Sequence, residues 1–182
     1  MSYHITVDDS DVAYTLGGWK SATVDDYAFY SYHRNDTGQV SMYFRDSSDS
    51  VIAAINLPAN TIPVGRSSVL SISIDTQTTT SIVMVNGVQQ SCGAVILDSV
   101  LDVYRMGVAL ESFGLVETKQ ALGEIYFDTT FIDLTTNDPF YDTETNKPKY
   151  LGENGELPTG SSPLIYLPLR ADDAGNNLGT GG

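Results

Sequence analysis

Apolar and polar residues alternate with a period of two along much of the chain, and clusters of Asp, Ser, Thr, Asn and Gly punctuate the alternation. A period of two is the signature of a β-strand, because successive side chains point to opposite faces. Val12–Leu16 and Tyr27–His33 read as strands on this basis, with Ala28, Tyr30 and Tyr32 alternating against Tyr27, Phe29 and Ser31. Gln39–Arg45 and Val51–Leu57 flank Asp46-Ser47-Ser48-Asp49-Ser50, a run of turn formers that predicts a hairpin. In Ser68–Asp75 the residues Leu70, Ile72 and Ile74 fall on one face, with Ser71 and Ser73 on the other. That pattern predicts an antiparallel strand with one dry and one wet face. The chain turns at Asp75-Thr76-Gln77-Thr78-Thr79, returns through Ser81–Val85 and meets Asn86-Gly87. Asn-Gly is the strongest short hairpin signal, so three successive strands of a meander are expected.

The segment Val95–Met106 fits two readings, since Ile96, Leu97, Val100, Leu101 and Tyr104 would share a helix face while Asp98-Ser99 would serve as a turn between short strands. Its β-branched content and the lack of a helix cap favour strands. Leu122–Phe127 is a further strand, and Asp128–Leu134 is expected to wind into one helical turn after it. From Thr135 onward turn chemistry dominates: Asn137-Asp138-Pro139, Lys147-Pro148-Lys149, Gly152-Glu153-Asn154-Gly155-Glu156 and Pro158-Thr159-Gly160-Ser161-Ser162-Pro163, with Leu164–Leu167 as the one short strand. A solvated linker has no use for Phe140, Tyr141, Tyr150, Leu151, Leu157 and the run Leu164–Leu169. An ordered, irregular arm packed on the domain or on a neighbouring subunit is therefore expected over residues 135–182, after a sandwich domain over residues 1–134. The tail Asn176–Gly182 is too rich in glycine to hold its own shape.

Composition agrees with an all-β chain. Val, Ile and Thr make up 44 of 182 residues, and the acidic residues divide into 17 Asp and 6 Glu, so the turn former outnumbers the helix former. A chain of this length buries roughly 70% of its unfolded surface and needs no covalent staples. The single cysteine, Cys92, rules out an intrachain disulfide. No apolar run reaches the roughly 18 residues of a membrane helix, and Met1-Ser2-Tyr3-His4 does not open an export signal, so a soluble chain is expected. The net charge of −14 repels phosphate backbones and anionic lipid, which makes nucleic acid and membranes poor partners.

Two stretches carry a family resemblance. Ser71–Val88, ending in Ile82-Val83-Met84-Val85-Asn86-Gly87-Val88, resembles the central hairpin of laminin-G-like, concanavalin A-like jelly-roll domains. More specific is the ordered series Gly123-Glu124-Ile125-Tyr126-Phe127-Asp128, Phe131-Ile132-Asp133-Leu134, Leu151-Gly152, Gly155 to Leu167, and Asn177-Leu178-Gly179-Thr180-Gly181-Gly182. It is similar to the C-terminal half of jelly-roll proteins encoded by tailed bacteriophages and prophages. The resemblance covers residues 68 to 182; residues 1 to 67 match by strand pattern alone. It implies a two-sheet antiparallel jelly-roll sandwich and a place in the virion, assembled in the host cytoplasm. In that family the glycine-rich end runs on into more chain, so the resemblance implies either a shorter member or a continuation beyond Gly182.

The sandwich fold also hosts glycosidases. Glu124, Tyr126 and Asp128 would share a strand face, but Tyr126 stands where a catalytic pair needs an acid, and Glu124 and Asp128 would be about 13 Å apart, beyond the spacing of either hydrolytic mechanism. Laminin-G-like domains often bind calcium, and Asp8-Asp9-Ser10-Asp11, Asp25-Asp26, Asp46 with Asp49, and Asp172-Asp173 offer oxygen ligands. None has calcium-loop spacing, so solvated turns are the favoured account and a structural calcium ion is the alternative. His4, His33 and Cys92 are too scattered for a zinc site or a Cys-His nucleophile, and Gly17-Gly18-Trp19 reads as a turn. No catalytic residue and no cofactor is expected, a structural calcium ion at these aspartates being the one alternative.

Two functions of different class remain. One is a structural virion protein, a capsid decoration, cement or head or tail accessory part, that docks onto other virion proteins and forms a homo-oligomer. The other is a recognition module that binds host glycans through loops and exposed aromatics. The arm favours the first, because a compact glycan binder has no need of it. Its candidate partner-binding residues are Tyr150, Leu157, Leu164, Tyr166, Leu169 and Arg170.

Overall fold

The computed structural model describes residues 2–7, 14–20, 27–34, 39–45, 51–63, 65–75, 78, 80–92, 105–107, 120–170, 172 and 175–181. Those residues contain no helix, hence none able to cross a membrane, and form antiparallel sheets throughout. In chain order the strands are β1 (Ser2–Val7), β2 (Tyr14–Lys20), β3 (Tyr27–Arg34), β4 (Gln39–Arg45), β5 (Val51–Asn56), β6 (Ser67–Asp75), β7 (Thr80–Val85), β8 (Val88–Gln90), β9 (Arg105–Gly107), β10 (Gln120–Phe127), β11 (Tyr141–Asp142), β12 (Lys147–Pro148) and β13 (Ile165–Leu167). A six-stranded sheet runs β13-β10-β1-β6-β7-β8, a five-stranded sheet runs β5-β4-β3-β2-β9, and β11 pairs with β12.

The expected meander is β6, β7 and β8. Asp75 closes its first turn by accepting from the Thr78 amide at 3.3 Å and the Thr78 hydroxyl at 2.6 Å. Asn86 and Gly87 form the second with φ of 51° and 72°, the left-handed pair that a tight hairpin requires. Asn86 also reaches back to β6, where its Oδ1 accepts from the Val69 amide at 2.8 Å. One residue thus supplies both the turn and a cross-strand lock.

Three local expectations are corrected. Gly17 and Gly18 are not a turn but lie inside β2, where the pairing with β3 shifts register between Thr15 and Gly17. Glycine inside a strand marks such an irregularity as readily as a reversal. Asp128–Leu134 does not wind into a helix: the chain bends at Thr129–Thr130 and turns only at Leu134–Thr136. Asp128 accepts from the Thr129 amide at 2.9 Å and Asp133 from the Thr135 amide at 3.0 Å, so the aspartates offer the backbone an alternative to helical bonds. The wet face expected of β6 is dry. Ser71 is 1% exposed and Ser73 is also buried, as are Ser68, Leu70 and Ile72 on the other face. Of the segment Val95–Met106, only Arg105 and Met106 lie within the described residues, both in β9.

What covers the serine face is the chain after β10. Ser71 pairs with Met84, Ser73 with Ile82, and Tyr126 with Tyr166, which places these side chains on one side of the six-stranded sheet with Val69. Leu134, Phe140 and Leu151 close over them in one buried cluster. The Tyr126 and Phe140 rings meet edge to face at 5.0 Å. Ser73 is satisfied there, since its Oγ accepts from the Ile132 amide at 3.0 Å. Residues on both sides of position 134 therefore share one core, and the segment after it contributes β13 to the sheet itself.

The glycine-rich tail is held from outside. Leu178 N donates to the Tyr166 carbonyl at 2.9 Å, Thr180 N to the Pro163 carbonyl at 2.8 Å and Gly181 N to the Leu164 carbonyl at 2.9 Å. Asn177 Oδ1 accepts from the Tyr166 amide at 2.9 Å, standing in for a strand partner. A Cβ on Gly179 would lie 2.6 Å from the Pro163 carbonyl oxygen, so only glycine lets the two backbones approach this closely. The tail was expected to lack a shape of its own; β13 gives it one, and it covers the β13 edge in return.

Candidate docking surface

Residues 150 to 160 form a turn rooted in the core. Leu151 is buried beside Tyr166, while its neighbour Tyr150 is 57% exposed. Gly152 has φ +102°, and a Cβ there would stand 2.4 Å from the Glu156 carboxylate; Gly155 has φ +74°, and a Cβ there would meet the Tyr166 ring at 2.8 Å. Gly155 lets the turn lie against the Tyr166 ring, and Gly152 leaves room for the Glu156 carboxylate. Glu156 Oε2 accepts from the Asn154 amide at 2.9 Å, and the backbone amides around this carboxylate hold it below the usual range. Leu157 N donates to the Leu151 carbonyl at 2.9 Å and Gly160 N to the Glu156 carbonyl at 2.8 Å. Between these bonds Leu157 points outward and is 61% exposed.

Below the turn, the Tyr166 hydroxyl donates to Glu124 Oε1 and lies 3.4 Å from the Gly152 carbonyl oxygen. Burial raises the Glu124 carboxyl, against the pull of the Tyr166 hydrogen bond and of Arg170. Burial also pushes the Tyr166 phenol up, with the Glu124 hydrogen bond and charge adding to it. Arg170 places its guanidinium carbon 5.7 Å from the centroid of the Tyr150 ring, a cation–π geometry.

The candidate partner residues therefore divide. Tyr150 and Leu157 are exposed on one turn, Arg170 is exposed over Tyr150, and Leu164 is 37% exposed near the tail. Leu169 is half-buried. Tyr166 is 0% exposed and offers a partner no surface; its role is to anchor the turn. Sequence reasoning missed Glu124 as the partner of Tyr166, because nothing local joins residues so far apart. It also missed Glu156 as an acceptor for the backbone of its own turn, although Gly152-x-x-Gly155 just before it signals a tight turn.

Elsewhere the acids serve the backbone. Asp133 accepts from the Thr135 and Thr136 hydroxyls at 2.6 and 2.8 Å, and Asp142 from the Thr145 hydroxyl at 2.7 Å, which lowers both carboxyls. Asp128 lies past the end of β10 rather than on a strand face with Glu124. A cleft of about 500 Å³ beside the Gly87 hairpin is lined by Leu134, Asp138, Tyr141 and Lys149 among others. There burial raises the Asp138 carboxyl, and Lys149 donates to the Asp138 carbonyl at 2.8 Å. Cys92 donates to the Ser81 carbonyl at 3.3 Å, and burial pushes its thiol up. Among the described residues no three His, Cys, Asp or Glu side chains converge on a metal position. Of the aspartates considered for calcium, Asp8, Asp9, Asp11, Asp25, Asp26, Asp46, Asp49 and Asp173 lie outside the described residues.

No protein-family model matches this chain, and no curated protein matches it.

Proposed function

We propose that the chain is a structural component of a tailed-bacteriophage virion, a decoration, cement or head or tail accessory protein that acts by docking onto another virion protein. The observation that carries this reading is Leu157, a leucine left 61% exposed on a turn whose neighbours are hydrogen-bonded and rooted in the core. We take the outward-held Leu157, on a turn whose backbone bonds are already made, as the contact residue of the docking reading. The similarity of residues 68 to 182 to phage jelly-roll proteins supplies the setting. A two-sheet jelly roll is the architecture we propose, supported by a buried apolar face on each sheet: Leu70, Ile72, Val83 and Val85 on one, and Val40, Met42, Phe44 and Ile55 on the other.

The reading involves no catalytic chemistry and no cofactor. A glycan-binding role has less support, because the Tyr150 ring, the most exposed aromatic among the residues whose side chains are described, already carries Arg170 on one face. The test is incorporation. Particles produced with the wild-type chain should contain it at a fixed copy number by quantitative mass spectrometry, and particles produced with Leu157→Ser should contain much less. Equal occupancy of the two would remove Leu157 from the interface, and absence of the wild-type chain from purified particles would end the virion reading.

A further inference from the structure

Asn-Gly occurs twice in the chain, at Asn86-Gly87 and at Asn154-Gly155. The dipeptide can modify itself, because glycine has no side chain to keep its backbone nitrogen away from the carboxamide carbon of the preceding asparagine. The two copies are held differently. At the β7–β8 hairpin Asn86 Oδ1 accepts from the Val69 amide at 2.8 Å and Nδ2 donates to Ser68 Oγ at 3.3 Å, so this carboxamide is tied to β6 through both of its polar atoms. Asn154 is exposed, and among the described residues neither its carboxamide nor the Gly155 amide has a hydrogen-bond partner. We propose that Asn154 is a site of spontaneous deamidation selected by the fold, and that Asn86, the same dipeptide, is protected. Hydroxide takes the Gly155 amide proton, the nitrogen bonds to Cγ of Asn154, and Nδ2 leaves as ammonia with a proton from water, which closes a succinimide ring and regenerates the hydroxide. Water then opens the ring at one carbonyl or the other. The products are an aspartate at position 154, or an isoaspartate whose main chain runs through the former side chain.

The fold keeps the reactive pair in place. Gly155 has φ +74°, and a Cβ there would meet the Tyr166 ring at 2.8 Å, so the position needs glycine and the reactivity cannot be removed from that side. The products also change the turn. Leu157 N donates to the Leu151 carbonyl at 2.9 Å, closing a loop that contains position 154, and an isoaspartate lengthens the main chain inside that loop by one methylene. Either product adds a negative charge between Glu153 and Glu156 in sequence. Asn86 escapes because its carboxamide is released only when the hairpin opens away from β6. The inference does not need the docking reading; if that reading holds, deamidation ages the turn that carries Leu157.

The test follows the full folded chain through warm incubation at mildly alkaline pH. Peptide mapping by mass spectrometry reads the conversion of amide to acid at each asparagine, and enzymatic methylation of isoaspartate reads the rearranged product. Conversion at Asn154 should exceed that at Asn86 by about tenfold or more, since the protected site reacts only through local opening, and it should rise with pH. In urea that unfolds the chain the two sites should convert alike, which assigns the selection to the fold rather than to the neighbouring residues. Asn154→Gln, an exposed change that leaves Gly155 in place, should remove the isoaspartate signal from this turn. The inference is overturned if the folded chain converts Asn154 no faster than Asn86, if the preference persists unchanged in urea, or if Asn154→Gln accumulates isoaspartate as wild type does. Particle composition separates the two proposals: selective conversion at Asn154 in a chain absent from particles would end the virion reading and leave this one standing.

Discussion

The hydroxyl of Tyr166 donates to Oε1 of Glu124, joining two residues 42 positions apart across the pairing of β10 with β13. The bond lies under the turn that carries Leu157, so the exposed leucine, the buried tyrosine and the half-buried carboxyl form one mechanical unit. Surface and core are linked here by a single side chain, Tyr166, whose ring supports Gly155 and whose backbone holds both β10 and the tail.

Stability should register the burial of Glu124. Its carboxyl is raised above the ordinary value of 4.5, chiefly by burial, with Tyr166 and Arg170 opposing. For an acid raised in the folded state, the native fold binds the proton more tightly; the associated stability is complete below the unfolded value and is lost as pH rises through the folded one. Asp133, Asp142 and Glu156 are lowered and act in the opposite sense, losing their contribution as pH falls. Comparison with Glu124→Gln cancels those. The variant keeps an acceptor for Tyr166, and its urea midpoint should gain on wild type between about pH 4.5 and neutrality. A difference that stays flat, or moves the other way, would show that Glu124 is not desolvated.

The two faces of β6 should prove equally intolerant. Period two alone would make Ser71→Asp and Ser73→Asp mild beside Ile72→Asp, but all three positions are buried. Each aspartate should therefore cost on the order of several kcal/mol. Ser73→Ala should cost about 1–3 kcal/mol, because it leaves the Ile132 amide without its acceptor. Chemical denaturation of the four variants checks this, and mild aspartates at 71 and 73 would mean that the C-terminal segment does not cover the sheet.

A chain ending at Asn137 should not fold to a native sandwich. It would lose Phe140, Leu151 and Tyr166 from the cluster that buries Val69, Ile82, Met84 and Tyr126. Each large apolar side chain contributes roughly 1.5–3 kcal/mol by burial, and a domain has only about 5–15 kcal/mol in all. Dye binding to exposed apolar surface and loss of near-ultraviolet dichroism are expected. A cooperative, native-like melt of the truncated chain would restore the arm as a separable appendage.

The parts of the fold legible in the sequence were those set by neighbours. Asn86-Gly87 fixes its hairpin because the turn needs two left-handed residues there, and Leu70, Ile72 and Ile74 give the strand its period. Alternation separates two faces but does not say that either is wet. Ser71 and Ser73 are small enough to lie beneath a covering layer, and nothing near them in sequence announces Phe140 or Leu151. Glycine carried the same ambiguity, marking a strand irregularity at Gly17 and a close backbone contact at Gly179 where a turn and a loose end were expected. At the docking surface, composition indicated apolar residues in need of cover, but only packing distinguishes Leu157, which faces out, from Tyr166, which faces in.

The tail should come loose without unfolding the domain. Asn177 Oδ1 is the acceptor for the Tyr166 amide, and the carbonyls of Pro163 and Leu164 are the acceptors for Thr180 and Gly181. Asn177→Ala removes the first, and Gly179→Ala forces a Cβ against backbone oxygen at 2.6 Å, where no flexible side chain can give way. Either change should leave β13 paired with β10 through Ile125↔Leu167, Tyr126↔Tyr166 and Phe127↔Ile165, since that ladder lies on the other edge. The Tyr166 amide then faces solvent. Hydrogen exchange at Tyr166 should accelerate by an order of magnitude or more, as expected for an amide moved from a folded contact to an open edge, while amides of Ser71 and Met84 keep their protection. Protection at Tyr166 that survives both substitutions would mean that the tail does not close this edge; loss of protection at Ser71 as well would mean that the tail holds the whole sheet together rather than one strand of it.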